Sequence, residues 1–378
     1  MENFEIIIPC IFGMEAMVSR ELKWLGYEPS CVEDGRVTFK GDFEAVCRAN
    51  LWIRCGERVL IKIGEFTAMS FEELFEKTKA LDWSVWLSKN AAFPVKGFCL
   101  KSTLASMRDC QAIIKKAIVS SLSAKYGIEW FEEDGSLYQI QFSVMKDKVT
   151  LMIDTSGDGL HKRGYRRISN AAPLKETIAA AMVMLSFWKF EYPLCDPFCG
   201  SGTIPIEAAM FKRNIAPGLM RHFAAESFEQ SSPAVWSALR EEAESKKRAT
   251  PLTIYASDID TATVEIAKEN VKIAGVEDAV KITVGDALKF TSSEQYGSII
   301  CNPPYGERLS DAKSCRELYA SMGKAFSRLP DWSYYILASD EDFEKNFGRT
   351  ADKRRKIYNG MIKCNIFQYY GKRPPKTT

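Results

Sequence analysis

The sequence predicts a doubly wound, parallel α/β domain that ends in an antiparallel hairpin and follows two small α+β modules. Three observations lead to this fold class. Strand-like and helix-like patterns alternate from residue 171 onward, a glycine-containing turn joins a strand to a helix at residues 196–203, and Asn359-Gly360 separates two strand-like runs. A chain of 378 residues, 46% of them hydrophobic, is long enough to bury two or three cores.

The first module is predicted over residues 1–65, where short apolar strands alternate with helical spacing of apolar residues. Strands are expected at residues 4–9, 36–40 and 58–63, and helices at residues 13–25 and 42–51. This order of elements suits a ferredoxin-like fold.

A second α+β module is predicted over residues 66–155. Helices are expected at residues 71–80 and 107–126, and strands near residues 98–102, 138–144 and 149–153. Ser156-Gly157-Asp158-Gly159 then breaks the pattern, and the residues after it are basic and rich in turn formers. We therefore predict a linker at residues 156–170 and the main domain at residues 171–378.

In the main domain, the predicted strands and helices alternate as a parallel sheet requires. Strands are expected at residues 193–196, 253–257, 280–284, 298–301 and 334–338. Helices are expected at residues 175–190, 204–212, 261–274 and 314–328, with a helical insertion at residues 233–248. The Asn359-Gly360 hairpin adds antiparallel strands at the end of the sheet.

Several classes of protein are disfavoured by composition. The longest apolar run, residues 178–190, is interrupted by Ser186 and Lys189 and is shorter than a membrane span requires. The amino terminus has no charged leader followed by an apolar run. Eleven cysteines without Cys-x-x-Cys pairs are typical of reduced thiols. We therefore expect a cytoplasmic protein with no membrane partner.

Histidine and charge constrain the chemistry further. Only two histidines, His161 and His222, are present, so neither a metal site nor a Ser-His-Asp triad is predicted. Residues 1–160 carry 19 Lys and Arg against 23 Asp and Glu, whereas the remainder carries 32 against 26. The basic excess of the second part weakly favours an anionic partner there.

The glycine turn predicts a site for a nucleoside-containing cofactor. It comprises Asp196, Pro197, Phe198, Cys199, Gly200, Ser201, Gly202 and Thr203. Pro205 stands where a dinucleotide fold has its third glycine, and the Gly-Lys-Ser/Thr of a phosphate loop is missing. A cofactor without phosphate but with a cationic or zwitterionic centre therefore fits better, and Asp196 at the strand end suits that charge.

Two further carboxylates follow the next strands. Asp258, followed by Ile259, is placed to accept both ribose hydroxyls, and Asp286, followed by Ala287, to accept from an adenine amino group. Asp260 is better interpreted as the N-cap of the helix that begins at Thr261. Single aspartates are often helix caps, but their recurrence at successive strand ends indicates a binding site.

Asn302, Pro303, Pro304 and Tyr305 follow the fourth strand and form the most specific motif. Two prolines fix φ and remove two backbone donors, so carbonyl oxygens and the Asn302 side chain are presented in a rigid turn. The Asn302 side-chain carbonyl and the Pro303 backbone carbonyl could hold the two hydrogens of an amino group on a base, while Tyr305 stacks on its ring. Catalysis would then rest on positioning and electrostatics.

Together these motifs resemble known families. Residues 196–203 with 302–305, joined by Asp258 and Asp286, resemble the class I amino-methyltransferases that modify exocyclic amines of bases. Residues 160–166, 172–177 and 216–219 are similar to the THUMP-domain RNA methyltransferases, and most similar to the bacterial 23S rRNA guanine-N2 methyltransferases.

The resemblance implies a class I, Rossmann-like methyltransferase domain preceded by ferredoxin-like and THUMP domains. It implies S-adenosyl-L-methionine as cofactor, with Asn170 and Pro173 closing over its methionine end. It also implies RNA as partner, either 23S rRNA or a large-subunit assembly intermediate. The acidic balance of residues 1–160 departs from a simple basic RNA clamp.

The expected reaction is therefore N2-methylation of guanosine in 23S rRNA, and alternatives remain open. The Asn302–Tyr305 motif accepts hydrogens from guanine or adenine, so tRNA guanine-N2 and adenine-N6 methylation are rivals. A non-catalytic RNA-binding ribosome assembly factor is a rival of another class. RNA contacts are predicted at Lys162, Arg163, Tyr165 and Arg166 of the basic linker.

Overall fold

The computed structural model describes residues 3–166, 173–305, 309–360 and 362–374. Its contacts divide the chain into two units. The first contains Met1–Cys10, Val18–Leu160 and Arg221–Glu242, and the second contains Ile11–Met17, His161–Met220 and Ala243–Thr378. The units thus differ from the three consecutive domains predicted above, because two segments belong to a unit other than the one that surrounds them in sequence.

The first unit alternates strands and helices from its beginning. Its strands are β1 (Phe4–Pro9), β2 (Pro29–Glu33), β3 (Arg36–Gly41), β4 (Leu60–Thr67), β5 (Val95–Leu100), β6 (Gln139–Met145) and β7 (Lys148–Asp154). The helices α1 (Glu15–Trp24), α2 (Phe43–Trp52), α3 (Phe71–Lys79) and α4 (Met107–Tyr126) lie between them in sequence, and α1 begins in the segment Ile11–Met17 of the second unit. The α4 prediction matches both ends, because Ser106 accepts from the Asp109 amide and Gly127 ends the helix in a left-handed conformation.

One seven-stranded sheet runs through both predicted modules, in the order β2-β3-β1-β4-β7-β6-β5. The link is β4, which pairs antiparallel with β1 on one side and with β7 on the other. The ferredoxin-like and THUMP-like parts therefore share a continuous backbone hydrogen-bond network. The sequence missed β2, whose residues are mostly exposed and show no apolar alternation.

The segment 221–242 packs within the first unit. The Arg221 guanidinium donates to the carbonyl oxygens of Asp158 and Gly159 at 2.6 and 2.7 Å. Tyr138 and Phe228 stack with their ring centroids 4.1 Å apart. Buried aromatic stacking and charge-assisted hydrogen bonds explain why this segment belongs to the first unit.

The second unit contains the predicted doubly wound sheet. Its strands are β8 (Leu194–Asp196), β9 (Ile254–Asp258), β10 (Val280–Val284), β11 (Ser298–Cys301), β12 (Ser333–Ala338), β13 (Lys353–Asn359) and β14 (Ile362–Tyr369). The helices along this part of the chain are α5 (Glu176–Ser186), α6 (Thr203–Lys212), α7 (Pro233–Ser245), α8 (Thr261–Ile273), α9 (Leu309–Phe326) and α10 (Phe343–Phe347). Helix α7 crosses the boundary between the units in sequence.

The sheet order is β10-β9-β8-β11-β12-β14-β13. Strands β8 to β12 are parallel, whereas β14 pairs antiparallel with β12 and β13 antiparallel with β14. This confirms the predicted fold class and its terminal hairpin. From β8 the chain adds β9 and β10 on one side, and β11 and β12 on the other, so the strand order reverses between β8 and β11. Open α/β sheets bind ligands at such a point, at the carboxyl ends of their strands.

Packing decides the ends of several helices in this unit. Helix α5 is buried throughout and ends at Ser186, four residues earlier than predicted, because Phe187 adopts a left-handed conformation with φ of +50°. Helix α9 begins at Leu309 rather than at residue 314. The short helix α10 was not predicted, and its Phe343 and Phe347 pack into an aromatic core with Tyr319.

In the described part of the chain, no helix has the length and apolar character needed to cross a membrane.

Candidate active site

A cavity of about 830 Å³ opens at the carboxyl ends of β8, β9, β10 and β11. It is lined by most of the residues that the sequence predicted for cofactor and base: Pro173, Asp196, Pro197, Phe198, Cys199, Gly200, Ser201, Thr203, Asp258, Ile259, Asp286, Ala287, Asn302, Pro303, Pro304 and Tyr305. Gly202 is absent from the lining, and Asn170 lies outside the described residues. The fold thus brings four separate strand ends to one cavity.

The glycine turn allows the backbone to pass close to this cavity. Gly200 and Gly202 have φ of +51° and +85°, in the left-handed region that side chains other than glycine rarely adopt. A Cβ on Gly202 would lie 3.4 Å from the Cβ of Ala267 on α8. Gly202 therefore serves the turn and the packing of α8, whereas Gly200 borders the cavity.

Asp196 is 1% exposed, and its carboxylate accepts from the Phe198 amide at 3.2 Å. Burial raises the pKa of Asp196 well above its usual value, and the neighbouring Asp258 adds to this effect. A buried carboxylate that receives so little compensation from the surrounding protein favours a cationic or hydrogen-bond-donating ligand.

Asp258 and Asp286 lie at the next two strand ends. The two carboxylate oxygens of Asp258 accept from the amides of Gly200 and Asp260 at 3.1 and 3.0 Å. Asp286 accepts from the Leu288 amide at 2.9 Å and caps a short 3-10 helix. A carboxylate has about four lone-pair sites, so each side chain retains acceptor capacity for a ligand. Asp260 caps α8 as predicted.

Two of the residues predicted to contact RNA are instead buried. Arg163 is 2% exposed and Tyr165 is fully buried. Their side chains donate to the Glu207 carboxylate of α6, with Arg163 Nε and Tyr165 Oη each 3.2 Å from Oε1. The prediction of RNA contacts at Arg163 and Tyr165 is therefore wrong, because a sequence with alternating basic residues does not show which of them point inward. Lys162 is exposed.

Arg166 is half-buried and connects the linker to the cavity wall. Its guanidinium donates to the carbonyl oxygen of Leu174 at 3.1 Å and to the hydroxyl of Thr203, and it lies 3.3 Å from Glu176. Leu174 and Thr203 both line the cavity. Arg166 thus holds the segment that follows Pro173 against the start of α6.

The Asn302–Tyr305 motif begins directly after β11. The Tyr305 hydroxyl donates to Asn302 Oδ1, and the Tyr319 hydroxyl donates to the carbonyl oxygen of Pro304 at 2.8 Å. Burial raises the pKa of Tyr305, so the phenol stays protonated and a donor at neutral pH. Asn302 Oδ1 keeps a second lone pair, because an amide oxygen has two. Tyr305 therefore orients the Asn302 amide as well as lining the cavity.

The hairpin turn also reaches the cavity, which the sequence analysis missed. Asn359, Gly360 and Ile362 lie in its wall with Leu318 of α9. The Asn359-Gly360 signal predicted the hairpin, and Asn359 pairs with Ile362 as the last rung of the two strands. Met361 lies outside the described residues. Because β14 pairs antiparallel with β12, the turn lies at the same edge of the sheet as the carboxyl ends of the parallel strands.

Comparison with known proteins agrees with this geometry. The model of the RMKL-like methyltransferase domain matches residues 163–368, that of the RlmL ferredoxin-like domain residues 5–60, and that of the THUMP domain residues 68–154. A candidate RNA methyltransferase of Bacillus subtilis strain 168, YpsC, is 47% identical over 100% of this chain and 98% of its own length.

The chain belongs to the RMKL-like methyltransferase family.

Solved structures share its fold over nearly the whole length. A predicted N6-adenine-specific DNA methylase from Listeria monocytogenes is 47% identical, with a TM-score of 0.92 over 98% of this chain and 97% of that chain. SMU.472, a candidate methyltransferase in complex with SAH, is 43% identical, with a TM-score of 0.93 over 99% of this chain and 100% of that chain.

Family membership and the cavity together identify the cofactor. The residues fit S-adenosylmethionine: Asp196 suits a cationic group, the Gly200 turn admits the ligand beside the backbone, and Asp258 and Asp286 retain acceptor capacity. The resemblance to this family and to THUMP-domain enzymes is confirmed. The chain is an S-adenosylmethionine-dependent RNA methyltransferase with RlmL-like ferredoxin-like and THUMP domains.

Proposed function

We propose that this protein methylates the N2 amino group of a guanosine in 23S rRNA. The observation that carries the proposal is the position of Asn302–Tyr305 in the wall of the cofactor cavity, where an amino nitrogen can meet the transferred methyl group. The choice of guanine and of 23S rRNA rests on the resemblance to the rRNA guanine-N2 methyltransferases, and the RlmL ferredoxin-like match at residues 5–60 supports it.

The exocyclic amine of a base is a poor nucleophile because its lone pair is delocalised into the ring. Bound S-adenosylmethionine supplies the methyl group. The second lone pair of Asn302 Oδ1 and the backbone carbonyl of Pro303 accept the two amino hydrogens and favour a pyramidal nitrogen. A nitrogen–carbon bond forms as the sulfur–carbon bond breaks, and the acidic proton of the methylated nitrogen passes to solvent. Positioning lowers the barrier without a strong base.

Tyr305 has two parts in this arrangement. Its ring lines the cavity, where it can stack on the target base, and its hydroxyl holds the Asn302 amide with Oδ1 toward the donor. The Tyr319 hydroxyl holds the other end of the motif through the Pro304 carbonyl. The motif is therefore preorganised by two phenol hydroxyls, that of Tyr305 in the segment after β11 and that of Tyr319 on α9.

Nucleoside analysis of RNA tests the substrate. In cells that lack the gene, N2-methylguanosine should be lost from 23S rRNA, and the purified protein should restore it with S-adenosylmethionine. Loss from tRNA alone would contradict the rRNA assignment, and loss of N6-methyladenosine would contradict guanine. Unchanged nucleosides in both RNAs would favour the assembly factor.

The Asn302→Ala variant tests the site. Turnover should fall about 10²- to 10³-fold, as expected for loss of a preorganised polar contact in a transition state, while cofactor affinity stays near that of the native protein. Asn346→Ala, which changes the same residue type on α10 outside the cavity, is the control. Loss of cofactor binding in parallel with turnover would show that Asn302 has been assigned the wrong role.

Adenine-N6 methylation is the second candidate. The motif accepts hydrogens from either amino group, and the Listeria neighbour carries an N6-adenine name. That name refers to DNA, whereas this chain has a THUMP domain at residues 68–154. The nucleoside produced on RNA from cells without the gene separates the two reactions directly.

A further inference from the structure

Two exposed aromatic rings lie beside the hairpin that closes the cavity wall. Phe12 is 42% exposed and Tyr358 is 37% exposed. Their ring centroids are 6.5 Å apart and their planes are inclined by 72°. Contiguous exposed apolar side chains, unlike single ones, can mark a site of interaction.

The backbone holds this pair in place. Arg355 of β13 donates to the carbonyl oxygen of Gly13 at 2.7 Å. Gly13 has φ of +91°, and a Cβ there would lie 2.5 Å from the carbonyl oxygen of Lys356. The segment Ile11–Met17, which belongs to the second unit, therefore packs directly against the edge strand and fixes Phe12 next to Tyr358.

A lysine lies against one of these rings. Lys356 Nζ lies 5.3 Å from the centroid of the Tyr358 ring. Lys356 is exposed and has no acidic partner among the residues that the structure describes, whereas Arg354 is paired with Glu344 at 3.1 Å. A cation without an acidic partner beside two exposed rings is a combination that binds single-stranded nucleic acid, through a phosphate and base stacking.

This surface continues into the cavity wall. Tyr358 is followed by Asn359 and Gly360, which line the cavity. Successive residues of a strand point to opposite faces of the sheet. An RNA strand that leaves the cavity at Asn359 therefore reaches Tyr358 by passing round the end of the hairpin. A lysine on an edge strand can also serve only to prevent aggregation, but that role does not explain the exposed aromatic pair beside Lys356.

The geometry points to Phe12, Tyr358 and Lys356 as a binding surface for the RNA nucleotides that flank the methylated base, with a base stacked on the aromatic pair and a phosphate on the lysine. This inference rests on the proposed RNA substrate and goes beyond it, because it assigns RNA contacts to residues outside the THUMP domain and the linker.

Binding of deproteinised rRNA from cells without the gene, measured with SAH present, tests the surface without turnover. Phe12→Ala/Tyr358→Ala should weaken RNA binding about tenfold or more, since each stacked base contributes substantially. Tyr358→Phe keeps the ring and should bind like the native protein. Lys356→Ala should lower the slope of log affinity against log salt by about 0.7, as expected for one phosphate contact on a single strand.

Phe190→Ala is the matched control. Phe190 is 45% exposed, and it precedes β8 at the end of the sheet opposite the cavity. Thermal unfolding and SAH affinity of every variant should equal those of the native protein. Unchanged RNA affinity and salt slope in the Phe12, Tyr358 and Lys356 variants, or an equal loss in Phe190→Ala, would overturn the inference. If these variants lose RNA affinity while the native protein forms no N2-methylguanosine, the surface stands and the guanine assignment fails.

Discussion

Removal of Glu207 from its buried ion pair with Arg163 should be among the most destabilising single substitutions in the second unit. Glu207 is fully buried, and it accepts from Arg163 Nε at 3.2 Å, Arg163 Nη2 at 3.4 Å and Tyr165 Oη at 3.2 Å. Glu207→Gln keeps the shape of the side chain but removes its charge. It leaves the Arg163 guanidinium in a buried site with too little compensation.

The expected loss follows from these contacts. Removing one partner of a buried ion pair costs about 3–5 kcal/mol. Glu176 also lies near enough to raise the pKa of Arg163, so part of the compensation survives the substitution. We therefore expect about 3 kcal/mol, at the lower end of that range, or about a hundredfold in the folded-to-unfolded ratio of the unit.

Hydrogen exchange of the buried amides of α6 measures this loss, because such amides exchange only when the surrounding unit opens. Glu265→Gln on α8 is the control, since its ion pair with Lys268 is exposed, and it should leave exchange unchanged. The double variant Arg163→Met/Glu207→Leu should recover most of the stability, because it removes both charges. The remaining loss is the cost of leaving the buried Tyr165 hydroxyl without Glu207 as its acceptor. A Glu207→Gln protein that exchanges like the control would refute the reasoning. So would an Arg163→Met variant with native stability and weaker RNA binding.

Two further predictions concern the cavity. The folded-state pKa of Asp196 is raised by burial above the usual value of 3.8, so the folded protein binds the proton more tightly than the unfolded chain, and stability falls as pH rises from that value through the raised pKa. Asp196→Asn should abolish this part of the pH dependence and raise the melting temperature of the cofactor-free protein at neutral pH. It should also weaken S-adenosylmethionine binding. Calorimetry at several pH values would contradict this if the melting temperature of the variant kept the native dependence on pH. Tyr305→Phe keeps the ring but removes the hydroxyl that orients Asn302, so kcat should fall about tenfold with cofactor affinity unchanged. In Tyr305→Leu, which also loses the ring, kcat should fall further. A native kcat in the phenylalanine variant would mean that the hydroxyl has no positioning role.

Local sequence signals predicted the elements of the second unit well because their causes are local. The glycine turn, the aspartates at strand ends and the two prolines of Asn302–Tyr305 act within a few residues, through φ, capping and missing donors. Strand β2 and helix α10 escaped because neither has a periodic apolar pattern of sufficient length.

Long-range partners explain what the sequence analysis missed. The sequence analysis interpreted Arg163 and Tyr165 as part of an exposed basic run. Their buried hydrogen-bond partner, Glu207, lies 44 and 42 residues further along the chain. The sequence analysis interpreted Asn359 only as a turn residue. Its position in the cavity wall follows from the pairing of β14 with β12. The sequence analysis assigned residues 221–242 to the main domain, with a helical insertion at residues 233–248, whereas the contacts of Phe228 and Arg221 place this segment in the first unit.

The sequence by itself predicted the class I methyltransferase fold and the cofactor, both of which are confirmed, because the signals for them are residue types at short, regular spacing after strands. The amino-directed role of Asn302–Tyr305 comes from the same kind of signal and stays a prediction. Only the tertiary structure decided which basic residues face solvent, that Tyr305 holds the Asn302 amide, and that the terminal hairpin completes the cavity. Those properties depend on burial and on contacts between residues far apart in the chain, and no local pattern of side chains encodes them.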